Sequence, residues 1–360
     1  MTTRPGRRTN ERVRVLRPYE ASLQREEMNA GIDEDQVLIR CCYSAISPGT
    51  ELGLFTGSHG GIVDPGHGPA KEDPFFPGFK FPFSPGYAAV GEVEMAGTHV
   101  HDVSKGDIVY YPGRHQRYSI VSPALTPVIP VPSSMSLLAA PFARFGQIAS
   151  TALVFSEAGE GDLVAVIGLG LIGNLAAQLF RIHGASVIGA DFVGFRRVLA
   201  RQAGIHHTIE AESGYTVSRI MDASEGNGAR TVIEATGNPR LVESALQMAA
   251  PKGEVILLGS PLTASGHDEA LSVYVLHLIH RKGVRITGAH ESLIPVIAAH
   301  GDILDQRTLA RKALDLIDRK HLVVEHLISD IVRPGEIERA YTSLLRDKDT
   351  TMAVLIDWTG

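Results

Sequence analysis

Between Val164 and Asp191 the chain carries the residues best suited to chemistry. An apolar run, Val164-Ala-Val-Ile167, leads into Gly168-Leu-Gly170-Leu-Ile-Gly173. An amphipathic stretch with Leu175, Ala176, Leu179 and Phe180 on one side follows, and then a second apolar run ends in an acid, Ser186-Val-Ile-Gly-Ala-Asp191. Each glycine answers a separate demand: Gly168 a tight turn, Gly170 the approach of backbone to a pyrophosphate, Gly173 close packing of helix on strand. The first-turn amides of the helix, at Leu171, Ile172 and Gly173, lack helical partners and lie at the positive end of the helix dipole, so they suit phosphate oxygens. The pattern therefore predicts a dinucleotide site. At Asp191 a carboxylate can accept from both adenosine ribose hydroxyls and would repel a 2′-phosphate, which favours NAD over NADP. Arg196 and Arg197 come next, and an arginine there can pair with a phosphate, stack on adenine or stay solvated. Further along, Thr236-Gly237-Asn238, Gly259-Ser260 and His290 each follow an apolar run, at the sheet edge where cofactors sit in such folds.

The elements that position these residues fall into two patterns. From Val13 to about Tyr118, short apolar runs broken by Gly, Pro, Asp and Asn predict a β-rich, barrel-like unit with few helices. Within it, Thr56 to Pro85 has no regular period, and phenylalanines 75, 76, 79, 81 and 83 suggest a packed flap rather than a free linker. Around Leu137 to Glu157 a helical stretch leads into alternating strands and helices, including the strands at Thr231–Thr236, Glu254–Gly259 and Val284–Gly288. Such alternation specifies a parallel sheet covered on both faces. Helical segments at Leu309–Arg319 and Pro334–Leu345 and a last strand at Met352–Trp358 follow.

At 360 residues and 44% apolar content the chain can bury two cores of ordinary size. With 34 basic and 40 acidic residues scattered along it, it has no basic face for nucleic acid, and no apolar run is long enough to span a membrane. Residues 1–12, rich in arginine beside Pro5 and Gly6, read as a disordered polar arm rather than a secretory signal. The two cysteines, Cys41 and Cys42, are adjacent in a strand-like segment and point to opposite faces of it. A mutual disulfide is thereby disfavoured and a reducing, cytoplasmic compartment is expected. Two cysteines also cannot build a four-cysteine zinc lobe.

Taken together, Pro85-Gly-Tyr-Ala-Ala-Val-Gly-Glu-Val93, Lys105-Gly-Asp-Ile-Val109, the glycine turn, Val232-Ile-Glu-Ala-Thr-Gly237, Val255-Ile-Leu-Leu-Gly259 and Pro334-Gly-Glu-Ile-Glu-Arg-Ala-Tyr341 resemble the medium-chain dehydrogenase/reductase superfamily of alcohol and polyol dehydrogenases. The resemblance runs nearly end to end. It implies an α/β chain in which a GroES-like β-rich barrel domain (13–150 and 296–360) is interrupted by a Rossmann doubly wound parallel-sheet domain (151–295). It also implies an NAD cofactor, a small-molecule substrate and a homo-oligomer, dimer or tetramer.

The departures concern the metal. Zinc-dependent members read Gly-Ile-Cys-Gly-Thr-Asp-x-His where this chain reads Ala45-Ile-Ser-Pro-Gly-Thr-Glu-Leu-Gly53, so Pro48 and Gly53 stand at the Cys and His ligands. The family's Gly-His-Glu becomes Gly86-Tyr87-Ala88, and Pro141-Phe-Ala-Arg-Phe-Gly-Gln147 holds no Cys, Asp or Glu for the third ligand. Catalytic zinc needs three such donors, so the resemblance points to a zinc-independent branch with no metal. His59, His67 and His115 are substitute ligands to weigh, against the commoner role of loop histidines bonded to backbone or solvent.

Without zinc, another group must handle the proton of the reacting oxygen. By the resemblance, Thr50 matches the Ser/Thr that begins the proton relay and Tyr87 occupies a former ligand position. A phenol with a depressed pKa there would be a general acid/base. Ser47 and Glu51 are second choices. Against these, Thr50 can cap a turn, Tyr87 can pack with its hydroxyl satisfied, and Glu51 can pair with an arginine. Arg144 either binds a substrate carboxylate or phosphate or braces the interdomain hinge, and Gln147 shares its helix. The leading expectation is an NAD-dependent dehydrogenase acting on a secondary alcohol of a polyol, sugar, cyclitol or related metabolite. The alternatives are a zinc-free enoyl or quinone reductase, which would ordinarily use NADPH, and a non-catalytic nucleotide-binding homologue.

Overall fold

The computed structural model describes residues 6–58, 80–212, 215–260, 273–299 and 303–360. Most of the irregular segment expected as a packed flap, including Phe75, Phe76 and Phe79 with His59 and His67, lies outside them.

The first half is mostly strand. A hairpin of β1 (Arg7–Arg17) and β2 (Glu20–Asn29) comes first, then β3 (Val37–Ala45), α1 (Pro48–Thr56), β4 (Ala89–Ala96), β5 (Ile108–Tyr111), β6 (Tyr118–Val121) and β7 (Ile129–Pro130). The disordered arm expected over residues 1–12 is corrected here, because Arg7 to Arg12 are strand. Each pairs in register with β2, and β1 is stitched to the barrel by Val13 N–H to His115 O (2.9 Å), Val15 N–H to Phe83 O (3.0 Å) and Arg117 N–H to Glu11 O (2.8 Å). Cross-strand charges such as Arg12–Glu26 (2.8 Å) and Arg25–Glu11 (2.9 Å) support the pairing. A second departure is α1, which opens with Pro48 at its first turn, a position where the missing N–H costs nothing.

From α2 (Phe142–Val154) the chain alternates: β8 (Leu163–Ile167), α3 (Leu171–Ile182), β9 (Ser186–Asp191), α4 (Gly194–Gln202), β10 (His207–Glu210), α5 (Thr216–Ala223), β11 (Ala229–Glu234), α6 (Val242–Met248), β12 (Ala249–Leu257), α7 (Val273–Lys282) and β13 (Arg285–Gly288). All six strands are parallel in the order β10-β9-β8-β11-β12-β13, the doubly wound dinucleotide-binding order with its switch point between β8 and β11. Burial follows the strand period. Val164 and Val166 of β8 join the core under α2 and α3, while Ala165 and Ile167 join the core on the opposite face. The chain then returns through α8 (Gln306–Asp318), β14 (Ile328–Val332), α9 (Ile337–Arg346) and β15 (Ala353–Asp357). Here β14 and β15 extend the barrel sheet, ordered β14-β15-β3-β4-β5-β7, with β6 on β3. Cys41 and Cys42 are both free and buried, one in the barrel core and one in the core beneath α2, as opposite faces of β3 require. Among the described residues no helix is long and apolar enough to cross a membrane.

The glycine turn between β8 and α3 is built as its spacing implies. Gly168 has φ +90°, and a Cβ on Gly173 would fall 1.9 Å from Gly168 O, so helix and turn touch backbone to backbone. At Gly170 only Arg196 Nη1, at 3.9 Å, is within reach of an added Cβ. Gly173→Ala should therefore destabilise the protein by about 1–3 kcal/mol, the usual cost of forced overpacking. Gly170→Ala should change stability little and instead weaken dinucleotide binding. Urea unfolding of both variants, with NADH titration of the second, checks the pair.

Candidate active site

Three hydroxyls meet above the start of α1. The Tyr87 phenol donates to Ser47 Oγ and lies 3.3 Å from Thr50 Oγ1. Gly86, at φ +97° with no room for a Cβ against His115 N (2.6 Å), delivers the chain into this position. Phe145 of α2 meets the Tyr87 ring edge-on, with centroids 6.5 Å apart. Burial pushes the phenol above its ordinary value, against hydrogen bonds with Ser47 and Thr50 that pull it down. The depressed pKa expected from sequence is thereby corrected: desolvation disfavours the phenolate, and Tyr87 is held as a neutral donor.

Beneath the hydroxyls lies Glu51, 1% exposed. Its Oε1 accepts from Ser47 N–H (2.9 Å), and its Oε2 is bonded by the Tyr341 hydroxyl (2.7 Å) and His115 Nε2 (2.9 Å). His115 Nδ1 meets Ser44 Oγ at 2.8 Å, and Trp358 Nε1–H donates to the same oxygen at 2.9 Å. Among the described residues no arginine pairs with Glu51, contrary to one expectation. It holds the Ser47 backbone from below.

Arg144 is also committed. Its Nη1 and Nη2 reach the Glu291 carboxylate at 2.6 and 2.7 Å, and Gln147 and Gln306 complete the cluster. Burial opposes the charge but Glu291 outweighs it, holding the guanidinium above its usual value. The substrate-anion role is corrected accordingly: both terminal nitrogens are spent on Glu291, and the geometry is that of a brace between α2 and the segment after β13.

At the nucleotide turn the first helical bond of α3 is Asn174 N–H to Gly170 O (2.8 Å), which leaves the amides of Leu171, Ile172 and Gly173 ahead of it. Open space at Gly170 and free first-turn donors are what a bound pyrophosphate needs, so the residues fit a dinucleotide. Asp191, 3% exposed, accepts from Leu169 N–H and Val193 N–H at 2.8 Å each, which fixes the carboxylate at the strand end with lone pairs to spare. Arg196 Nη1 is 3.6 Å from it, while Arg197 is bound to the carbonyls of Asp191 and Phe192. Thr236 and Gly237 are held by Glu234, which accepts both their amides (2.8 and 3.0 Å) and which burial raises above its usual value. A Cβ on Gly259 would fall 2.1 Å from Gly237 N, so the ends of β11 and β12 abut there, with Ser260 exposed beside them. His290 is exposed and bonded to Ser292.

Residues 172–298 match the family described as zinc-binding dehydrogenase. An L-threonine 3-dehydrogenase of Caldanaerobacter subterraneus is 34% identical over 136 residues, 38% of each chain. Galactitol-1-phosphate dehydrogenase from Escherichia coli superposes with TM-score 0.78 at 19% identity, over 96% of this chain and 99% of that one. An Escherichia coli alcohol dehydrogenase solved with NADH gives TM-score 0.77 at 17% identity, over 97% and 99%. This is the alcohol dehydrogenase-like fold. The chain spans 38% of the length of that threonine dehydrogenase, and the family match lies in the nucleotide half.

In this fold the positions that would hold zinc by the resemblance do not fit it. Pro48 and Gly53 offer no side-chain donor, Tyr87 is a neutral phenol turned onto Ser47, and Ala88 is a methyl. Among the described residues no three His, Cys, Asp or Glu side chains converge as a metal site. His115, weighed as a substitute ligand, has both nitrogens spent on Ser44 and Glu51. The sequence reading missed Tyr341, Ser44, Trp358 and Glu291 entirely. Only Tyr341 carried a signal, as the last residue of a quoted motif.

Glu51→Ala should leave the Ser47 amide, His115 and the Tyr341 hydroxyl without their acceptor and cost about 3–5 kcal/mol. Tyr341→Phe, which removes one donor and leaves the carboxylate its other two, should cost about 1 kcal/mol. Urea unfolding of the two variants measures the difference.

Proposed function

We propose that the chain is a zinc-independent, NAD(H)-dependent oxidoreductase that interconverts a secondary alcohol and a ketone on a polyol, sugar, cyclitol or related small metabolite. The observation that carries this reading is the Tyr87–Ser47–Thr50 hydroxyl cluster, standing where the zinc-dependent relatives of the resemblance keep their metal. Its support comes from the dinucleotide turn and from the dehydrogenase names of the matching proteins.

When bound, the nicotinamide supplies the hydride acceptor or donor. The chain's own residues handle the proton. Tyr87, kept protonated by burial, donates to the oxygen of a ketone as that oxygen gains charge, while Ser47 and Thr50 fix the direction of the phenol and Glu51 fixes Ser47. In the opposite direction the alcohol's proton returns to the Tyr87 oxygen, which must then stand as the phenolate that donation leaves behind. Burial keeps the phenol in its protonated form near neutral pH, the form that can donate. The reading extends to a catalytic unit of 13–150 with 296–360, a nucleotide unit of 151–295, assembly as a dimer or tetramer, and a cytoplasmic setting consistent with two free cysteines.

Turnover of NAD(H) against a panel of polyols, cyclitols and their ketones, with chelator present, tests the proposal. Activity should persist in chelator, and elemental analysis should find no stoichiometric zinc; one tightly held zinc whose removal abolishes activity would defeat the metal-free mechanism. Tyr87→Phe should lower turnover by about 10² to 10⁴ with NADH affinity nearly unchanged. Thr50→Val should lose part of that, and the double change should cost less than the product of the singles.

Cofactor choice has its own test. Asp191→Ser should narrow the preference for NADH over NADPH by about tenfold, since it removes the charge that opposes a 2′-phosphate. Fluorescence titration of both cofactors reads it, and tighter NADPH binding by the unmutated protein would overturn the assignment.

A further inference from the structure

Arg144 does more than brace. Its side chain, 12% exposed, lies in the first turn of α2 with its guanidinium carbon 5.2 Å from the centre of the Tyr87 ring. On the far side both terminal nitrogens grip Glu291, three residues past the end of β13, and Gln306 anchors that segment by donating to Glu291 O (3.1 Å) and Ile294 O (2.9 Å). Arg144 Nε is buried without a partner. The grip on Glu291 uses only the two terminal nitrogens, and the guanidinium lies over an aromatic ring.

A cation over a phenol draws electron density from the ring and is worth most where water is excluded. We propose that Arg144 is a positioning residue for Tyr87: Glu291 fixes the guanidinium over the phenol, and the guanidinium orients the ring and strengthens its O–H, which rests on Ser47, as a donor to the substrate oxygen when that oxygen takes Ser47's place. The proton donor is thereby tied to the segment leaving the nucleotide sheet. Among the described residues the groups facing the ring and its hydroxyl are Ser47, Thr50, Phe145 and Arg144, with Glu51 behind Ser47. This inference rests on the reading of Tyr87 as proton donor.

A double-mutant cycle tests it in the full-length protein. Arg144→Met should lower kcat by about 10- to 30-fold, with NADH affinity within twofold of the unmutated protein. Arg144→Lys, which keeps a cation but loses the two-pronged grip, should recover part of the loss. In a Tyr87→Phe background the further loss on Arg144→Met should shrink to under threefold, because the phenolic hydroxyl through which Arg144 acts is gone. Equal losses in both backgrounds would mean that Arg144 is only a brace, and would overturn the inference while leaving the oxidoreductase reading intact. A readout independent of activity is ¹⁹F NMR of protein labelled with 3-fluorotyrosine, with the Tyr87 resonance assigned by its loss in Tyr87→Phe. That resonance should move in Arg144→Met even if no substrate is ever turned over. An unmoved resonance overturns the placement of the guanidinium on the ring, whereas a shifted resonance in a protein without NAD(H) turnover upholds the placement and sinks the enzymatic reading.

Discussion

A carboxyl group with 1% of its surface exposed has almost no water to stabilise it, so every hydrogen bond it needs must come from the chain. Glu51 obtains three, from the Ser47 amide just ahead of its own helix, from His115 in the loop before β6, and from Tyr341 of α9. Those donors come from positions 4, 64 and 290 residues away in sequence. Satisfying one buried acid therefore requires the start of α1, the barrel loop and the returning C-terminal helix to be correct at once. Ser44 and Trp358 extend the requirement to β3 and the chain's end. The hydroxyl cluster rests on this arrangement, because Ser47 is both the residue whose amide Glu51 holds and the residue whose hydroxyl Tyr87 meets.

The nucleotide half depends on a different constraint, the close approach of backbones. Gly173 against Gly168, and Gly237 against Gly259, leave no volume for a Cβ, so the ends of β8, β11 and β12 gather at one edge. Asp191 and Glu234 then fix the loops at that edge through backbone amides, which leaves the first turn of α3 as the place with space and unspent donors. Backbone constraints of this kind leave local marks in a sequence. The turn, the acid at the strand end and the parallel alternation were all legible for that reason, and the strand order agrees.

What was not legible depends on partners far along the chain. Arg7 to Arg12 read as a loose arm because nothing near them is apolar, yet β2 supplies Glu26 and Glu27 directly across and the barrel supplies backbone bonds. His115 read as a loop histidine because its partners, Ser44 and Glu51, lie 71 and 64 residues away. Arg144 and Glu291 are 147 apart. For Tyr87 the position was readable but the direction of its pKa was not, since that direction is set by burial, a property of the whole packed site. The start of α1 was the one local signal passed over: Pro48 suits a first helical turn as well as it suits a loop.

In the proposed reaction a phenol stands where a metal would, and that changes what the surrounding charges must do. A divalent cation stabilises an alkoxide directly and draws anionic ligands around itself. A neutral phenol gives up a proton only at the moment charge appears on the substrate, so its surroundings must keep it protonated beforehand without making its O–H inert. Burial alone would do the first and overshoot. The Arg144 cation offsets the overshoot at short range, and Glu291, two-pronged on the same guanidinium, prevents that cation from adding net charge to the site. Around Tyr87, then, the described groups include two hydroxyls, an aromatic edge and a compensated ion pair, with the Glu51 acid behind Ser47. Such a setting matches the neutral, hydroxyl-rich substrate of the proposed reaction better than an anionic one, because an incoming carboxylate or phosphate would have to compete with Glu291 for the same guanidinium and would leave one buried anion without a partner.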